Sequence, residues 1–264
     1  MNAPASTAAA APSAPGAGAD PALERLLRGS VAVVWLATGV LVVHPFYRAV
    51  GAQWLRRLGL GPSLMFATCA AEVALAALIL ARPTSFLVAA AQTSAVVVFT
   101  GLLTGLDPML LAHPLGVLTK NLPLIAVVWT AYLAATEGFT RRAAWLLRGG
   151  MAAIWITEGL LPKILFQQPL ELALVESWGL APASRVLVAT GLAQIAGGVL
   201  ALVLRGRALR LVLAAQLAAL VVLPALVSIA MPSLWAHPFG PLTKNLPILV
   251  GTYVLLRRCD STSS

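Results

Sequence analysis

An eleven-residue motif occurs twice in this chain, and it limits the architectures open to it. His113-Pro-Leu-Gly-Val-Leu-Thr-Lys-Asn-Leu-Pro123 returns as His237-Pro-Phe-Gly-Pro-Leu-Thr-Lys-Asn-Leu-Pro247, with nine of eleven positions identical. Weaker echoes extend the repeat upstream: Leu26-Leu27-Arg28-Gly29 matches Leu146-Leu147-Arg148-Gly149, Trp35 matches Trp155, and Gly59-Leu60-Gly61-Pro62 matches Gly179-Leu180-Ala181-Pro182. A fixed long period of this kind marks a chain built by duplication.

What is duplicated is apolar. Hydrophobic residues make up 59% of the 264 residues and charged residues 10%, against about 25% charged in soluble domains. Apolar runs fall at about 26–43, 64–81, 86–106, 122–136, 143–161, 186–204, 208–230 and 246–256. A bilayer core about 30 Å thick takes about 20 apolar residues per helix. The expected fold is therefore an all-α integral membrane protein with eight transmembrane helices, arranged as two tandem parallel four-helix bundles. An even number of spans per unit makes both units enter from the same side, which disfavours inverted-repeat transporter folds. The expected limits are a disordered tail at 1–22, a first unit at 23–139, a second at 140–258 and a short tail at 259–264. The first segment is Ala, Pro, Ser, Gly and Thr almost throughout and lacks the basic start and apolar stretch of a signal peptide.

A net charge of +9 would suggest nucleic acid in a soluble protein. Here the basic residues sit in short loops between apolar runs, and the membrane accounts for them; no nucleic-acid partner is expected. Eleven Lys and Arg fall on the side of both termini and seven on the other, so both termini are expected in the cytoplasm and both motifs on the outer face of the cell membrane. Cys69 and Cys259 lie too far apart in the expected topology for a disulfide, and the chain has no Cys-x-x-Cys.

Chemistry has few candidate carriers. The only lysines among eighteen basic residues are Lys120 and Lys244 of the repeated motif and Lys163 of Glu158-Gly-Leu-Leu-Pro-Lys163. Arginine and lysine differ in pairing and in proton transfer, so the choice points to function, although duplication copies one lysine into two and a lysine at a helix end can simply snorkel. All three histidines, His44, His113 and His237, precede proline at the outer ends of runs. None has a second ligand at helical or zinc spacing, so no metal site is expected. Glu72 lies in the middle of a run, with Gln194 as its approximate counterpart, and must face protein or water. Glu158, whose counterpart is Thr38, is expected to pair with Lys163 or with a motif lysine. Asn121 and Asn245 are good helix caps. The runs after them are too short to cross the hydrocarbon, so both motifs are expected to be recessed, with helix amides and an ammonium lining an outer pocket.

Trp155-Ile-Thr-Glu-Gly-Leu-Leu-Pro-Lys-Ile-Leu-Phe166, followed by Gly179-Leu180 and closed by the motif from His237 to Pro247, resembles the DoxX-like membrane family. The likeness is strongest over 143–258. The first unit keeps the closing motif but shows Thr38, Val42 and Val43 where the second has Glu158, Pro162 and Lys163, so a site built on those residues would exist once. The resemblance implies a four-helix membrane bundle, with relatives that serve as the membrane subunit of a thiosulfate:quinone oxidoreductase or are fused to nucleotide-sugar-epimerase-like domains. It implies no reaction, and the chain has no dinucleotide fingerprint. The expectation is an accessory membrane protein, not an enzyme on its own, that binds a quinone or other lipophile beside a redox protein partner. A small-solute or lipid transporter and a structural anchor or assembly factor are the rivals. Candidate ligand-binding residues are Glu72, His113, Lys120, Asn121, Glu158, Lys163, His237, Lys244 and Asn245.

Overall fold

Asp20 opens the first helix: its carboxylate accepts the Leu23 amide at 3.1 Å, and Pro21 fills the first turn, where a missing amide hydrogen costs little. From there the computed structural model, which describes residues 18–258, is helical with no strand among those residues. The first unit comprises α1 (Pro21–Val40), α2 (Pro45–Arg57), α3 (Ser63–Ala81), α4 (Phe86–Leu106) and α5 (Asn121–Thr136). The second repeats the series as α6 (Arg141–Leu160), α7 (Pro169–Ser177), α8 (Ala183–Val203), α9 (Gly206–Ala230) and α10 (Asn245–Arg258). Each first helix ends in a distorted turn, Leu41–Val43 or Leu161–Leu165, and each fourth in a 3-10 turn, Pro108–Ala112 or Pro232–Ala236. The expected tails, with Cys259, lie outside the described residues except at 18–22, where the helix already begins.

The duplication is visible in contacts as well as in letters. Arg28 donates to the carbonyls of Ile79, Leu80 and Arg82 at the end of α3, and Arg148 donates to those of Ala201 and Leu204 at the end of α8. The repeated arginine thus satisfies carbonyls left open at a helix C-terminus. α1 and α6 begin 120 residues apart, at Pro21 and Arg141. The partners of the arginines, Ile79 and Ala201, are 122 apart, and the buried glutamines Gln92 and Gln216 are 124 apart. The extra residues lengthen α8 to 21 and α9 to 25, against 19 in α3 and 21 in α4.

Five helical stretches are long and apolar enough to cross a membrane: Pro21–Val43, Ser63–Ala81, Phe86–Leu106, Ala183–Val203 and Gly206–Ala230. α5 is apolar but has 16 residues, α10 has 14, and α6 carries Arg141, Arg142, Arg148 and Glu158. The short helices α2 and α7 were not among the expected elements.

One continuous core joins the two units. It takes Leu27 and Val31 from α1, Val127 and Ala131 from α5, Leu147 and Met151 from α6 and Ile248 from α10. α1, α5, α6 and α10 pack against one another at the centre, α3 and α4 flank α1 and α5, and α8 and α9 flank α6 and α10. In lipid, such contacts depend on close packing more than on water exclusion. Gly159 and Gly191 show how close: a Cβ on Gly159 would lie 2.5 Å from the Gly191 carbonyl oxygen.

Candidate functional site

The two closing motifs fold alike. In each, the histidine Nδ1 accepts the amide two residues on, from Leu115 to His113 and from Phe239 to His237, both at 3.3 Å. His44 does the same for Phe46 at 3.2 Å. The histidines are thus turn-forming residues. Neither His113 nor His237 lines the cavities described below. Among the described residues no group of three or more His, Cys, Asp or Glu could hold a metal ion. Gly116 and Gly240 follow with φ of +64° and +57°, a left-handed conformation that glycine adopts without a Cβ clash.

Beyond those glycines the motifs exchange lysines. Lys120 Nζ donates to the Pro241 carbonyl at 2.7 Å, and Lys244 Nζ donates to the Val117 carbonyl at 3.0 Å. Residues 117 and 241 are one of the two positions at which the motifs differ. The lysines use only the backbone here, so Val and Pro serve equally as acceptors, while the Val117 side chain packs with Leu103, Leu110 and Leu118.

Val117, Leu118, Thr119, Asn121, Leu242 and Asn245 are buried, which fits a packed plug and not a free loop. The expected capping differs. α5 starts with Asn121 as its first residue, and its side-chain amide donates to the Thr100 hydroxyl at 2.8 Å. The first amides are already satisfied, Asn121 N–H by Leu118 and Leu122 N–H by Thr119, because a tight turn runs straight into the helix. They are not open to a ligand, and the expected amide-lined pocket is corrected to one lined by side chains.

Two cavities flank this clasp. The second-unit cavity, about 260 Å³, has apolar walls that include Leu170, Leu187 and Leu223. Its polar end is formed by Trp155, Glu158, Lys163, Glu171 and Gln194, with Lys120 reaching in from the first unit. The Thr119 hydroxyl donates to Glu158 Oε1, and a Cβ on Gly116 would come within 3.1 Å of the same oxygen. Lys163 forms its ion pair with Glu171 of α7, at 2.9 Å, and donates to the Glu158 backbone carbonyl at 3.4 Å. Of the two expected partners of Glu158, the motif lysine Lys120 faces its carboxylate across the cavity, while the wide turn at Leu161–Leu165, containing Pro162, delivers Lys163 to a direct ion pair on α7. Glu171 was missed in the sequence because α7 was. Its signal was an acid in a short Pro-initiated segment of a chain with only nine acidic residues.

The first-unit cavity, about 230 Å³, holds Thr38, Tyr47, Glu72 and Asn121, and takes Phe239 and Lys244 from the second unit. Each cavity is thus completed by the other unit's motif, Lys120 serving one and Lys244 the other.

Equivalent tryptophans behave differently in the two. Trp35 Nε1 donates to Gln92 Oε1 at 3.1 Å. In the second unit Gln216 turns to the Gly197 carbonyl at 3.1 Å, and buried Trp155 Nε1 has no hydrogen-bond partner. Gln194 Oε1 and Glu171 Oε2, in the same cavity, are also unpartnered, as is Glu72 Oε2 in the first.

The sequence pattern of the DoxX-like family matches this chain at residues 32–129 and again at 152–253. The chain belongs to the DoxX-like family. The double match follows the duplication, and with the apolar helices it makes this member a multi-pass membrane protein. No curated protein and no solved structure matches it.

Proposed function

We propose that this DoxX-like protein is a non-catalytic membrane subunit that binds a quinone or a similar carbonyl-bearing lipophile in its second-unit cavity, beside a redox partner. The unpartnered indole N–H of Trp155 carries this reading. A buried donor left unsatisfied costs about 1–3 kcal/mol, and a carbonyl oxygen entering the cavity would remove that cost. The ammonium groups of Lys120 and Lys163 at the same end favour an acceptor or a partly negative oxygen, while the leucine walls suit a ring and an isoprenoid tail.

The same reading has eight crossings, four in each unit, with α5 and α10 completing theirs through the buried motifs that precede them, and α2 and α7 lying at the outer interface. Both termini are then cytoplasmic, in the cell membrane, as the basic residues favour.

The test is to purify the full chain in mild detergent and assay extracted lipids by mass spectrometry. Stoichiometric quinone is expected, with about fivefold less in Trp155→Phe, the loss of one hydrogen bond. A preparation free of quinone that also fails to take up added ubiquinone or menaquinone would overturn the reading.

A further inference from the structure

The first-unit cavity differs from the second-unit cavity in its polar lining. We propose that it binds an amphiphile whose polar end is a neutral hydroxyl. Three observations converge. Glu72 Oε2 is buried within the protein, lines the cavity and makes no hydrogen bond of normal geometry, the Thr38 hydroxyl being its polar neighbour beside Lys244. The indole N–H that is free in the second unit is occupied here by Gln92, so the donor that would receive a carbonyl is gone. Lys244, the cation facing Glu72, has three ammonium hydrogens and spends one on the Val117 carbonyl.

An occupant must therefore offer a hydrogen to a carboxylate while tolerating an ammonium group. A cationic head would meet Lys244, and an anionic head would meet Glu72, each a like-charge contact in a poorly solvated space. A hydroxyl meets neither objection, since it donates to Glu72 and accepts from Lys244 with the same oxygen. Leu64, Phe99 and Leu103 provide walls for the apolar body. Aliphatic alcohols of lipid origin and the phenolic hydroxyl of a reduced quinone share this chemistry.

The experiment uses the full chain in lipid nanodiscs and photoreactive probes with one dodecyl tail, ended in an aliphatic hydroxyl, a hydroquinone, an ammonium or a carboxylate. Cross-linked peptides are read by mass spectrometry. The hydroxyl probes are expected to label the Tyr47, Trp54 and Met65 region above the ammonium and carboxylate probes. Labelling by the aliphatic probe alone assigns a lipid alcohol, by the hydroquinone alone a quinol, and by both the shared class. Glu72→Gln should lower that labelling about tenfold, the loss of a hydrogen bond to a charged group, at an unchanged melting temperature. Leu64→Trp fills the cavity from an exposed rim position and should have the same effect even if Glu72→Gln does not fold. Charged probes that label this region as strongly as the hydroxyl probes, or variants that fold and label like the parent, would overturn the proposal. Quinone content in the second unit is measured separately, so failure of that reading leaves this result intact.

Discussion

Lys163 and Glu171 form an ion pair enclosed by protein at the candidate site, with side chains 7% and 13% exposed. Removing one partner leaves the other charge without compensation, at a cost of about 3–5 kcal/mol. Lys163→Met should therefore lower the melting temperature of the purified protein markedly, and Lys163→Met with Glu171→Leu should recover much of the loss. A double-mutant cycle should show strong coupling for this pair and weaker coupling between Lys163 and the Glu158 carboxylate, which it faces without a direct ion pair. Glu158 and Lys163 were legible in the sequence because lysine is rare here and the first-unit counterpart of Glu158 is the uncharged Thr38. Their pairing was not legible, since it depends on a widened turn and on a nine-residue helix that no apolar periodicity announced.

Helix contacts were legible in part. The Leu-Leu-Arg-Gly repeat stood out, yet its arginines close the ends of α3 and α8 more than fifty residues away, a relation that only packing reveals. The approach of α6 to α8 depends on glycine at both positions. Gly159→Ala would drive its Cβ to 2.5 Å from a backbone oxygen that cannot rotate away, at a cost of about 1–3 kcal/mol. Gly29→Ala, with nothing within 4 Å of the added Cβ, should be tolerated. Thermal melts of the two variants, side by side, check the contrast.

For the molecule as a whole, repeat and apolar runs gave the helical class and the twofold plan, but not the merging of both units into one core, because no residue pattern records which helices of one unit touch the other. The two ends of the described segment also meet. Asp20 pairs with Arg258 at 2.6 Å and donates its amide to the Ala134 carbonyl at 2.8 Å. Burial works against ionisation of Asp20, but the Leu23 amide and Arg258 outweigh it and hold the carboxyl below its usual value. A depressed carboxyl stabilises the fold above the unfolded value and loses that contribution as pH falls through the folded one. Melting temperatures below about pH 4 should drop less steeply in Asp20→Asn than in the parent, by a small margin because the pair is partly exposed. A reporter fused at Ser264 should register the cytoplasm; a signal from the opposite side would invert every assignment of faces.

Because Lys120 and Lys244 cross over, neither half of this polypeptide owns a complete pocket. Cut between Gly138 and Phe139 and produced together, the halves should reassemble and elute as one species, while either half alone should be degraded or pair with itself. A single-unit ancestor would have met the same requirement by associating with a second copy, each lending its lysine to the other. Once both copies were joined in one chain, mutations could fall on one side without being mirrored, which is how Glu158 and Lys163 on one side and Glu72 on the other could arise from a shared beginning.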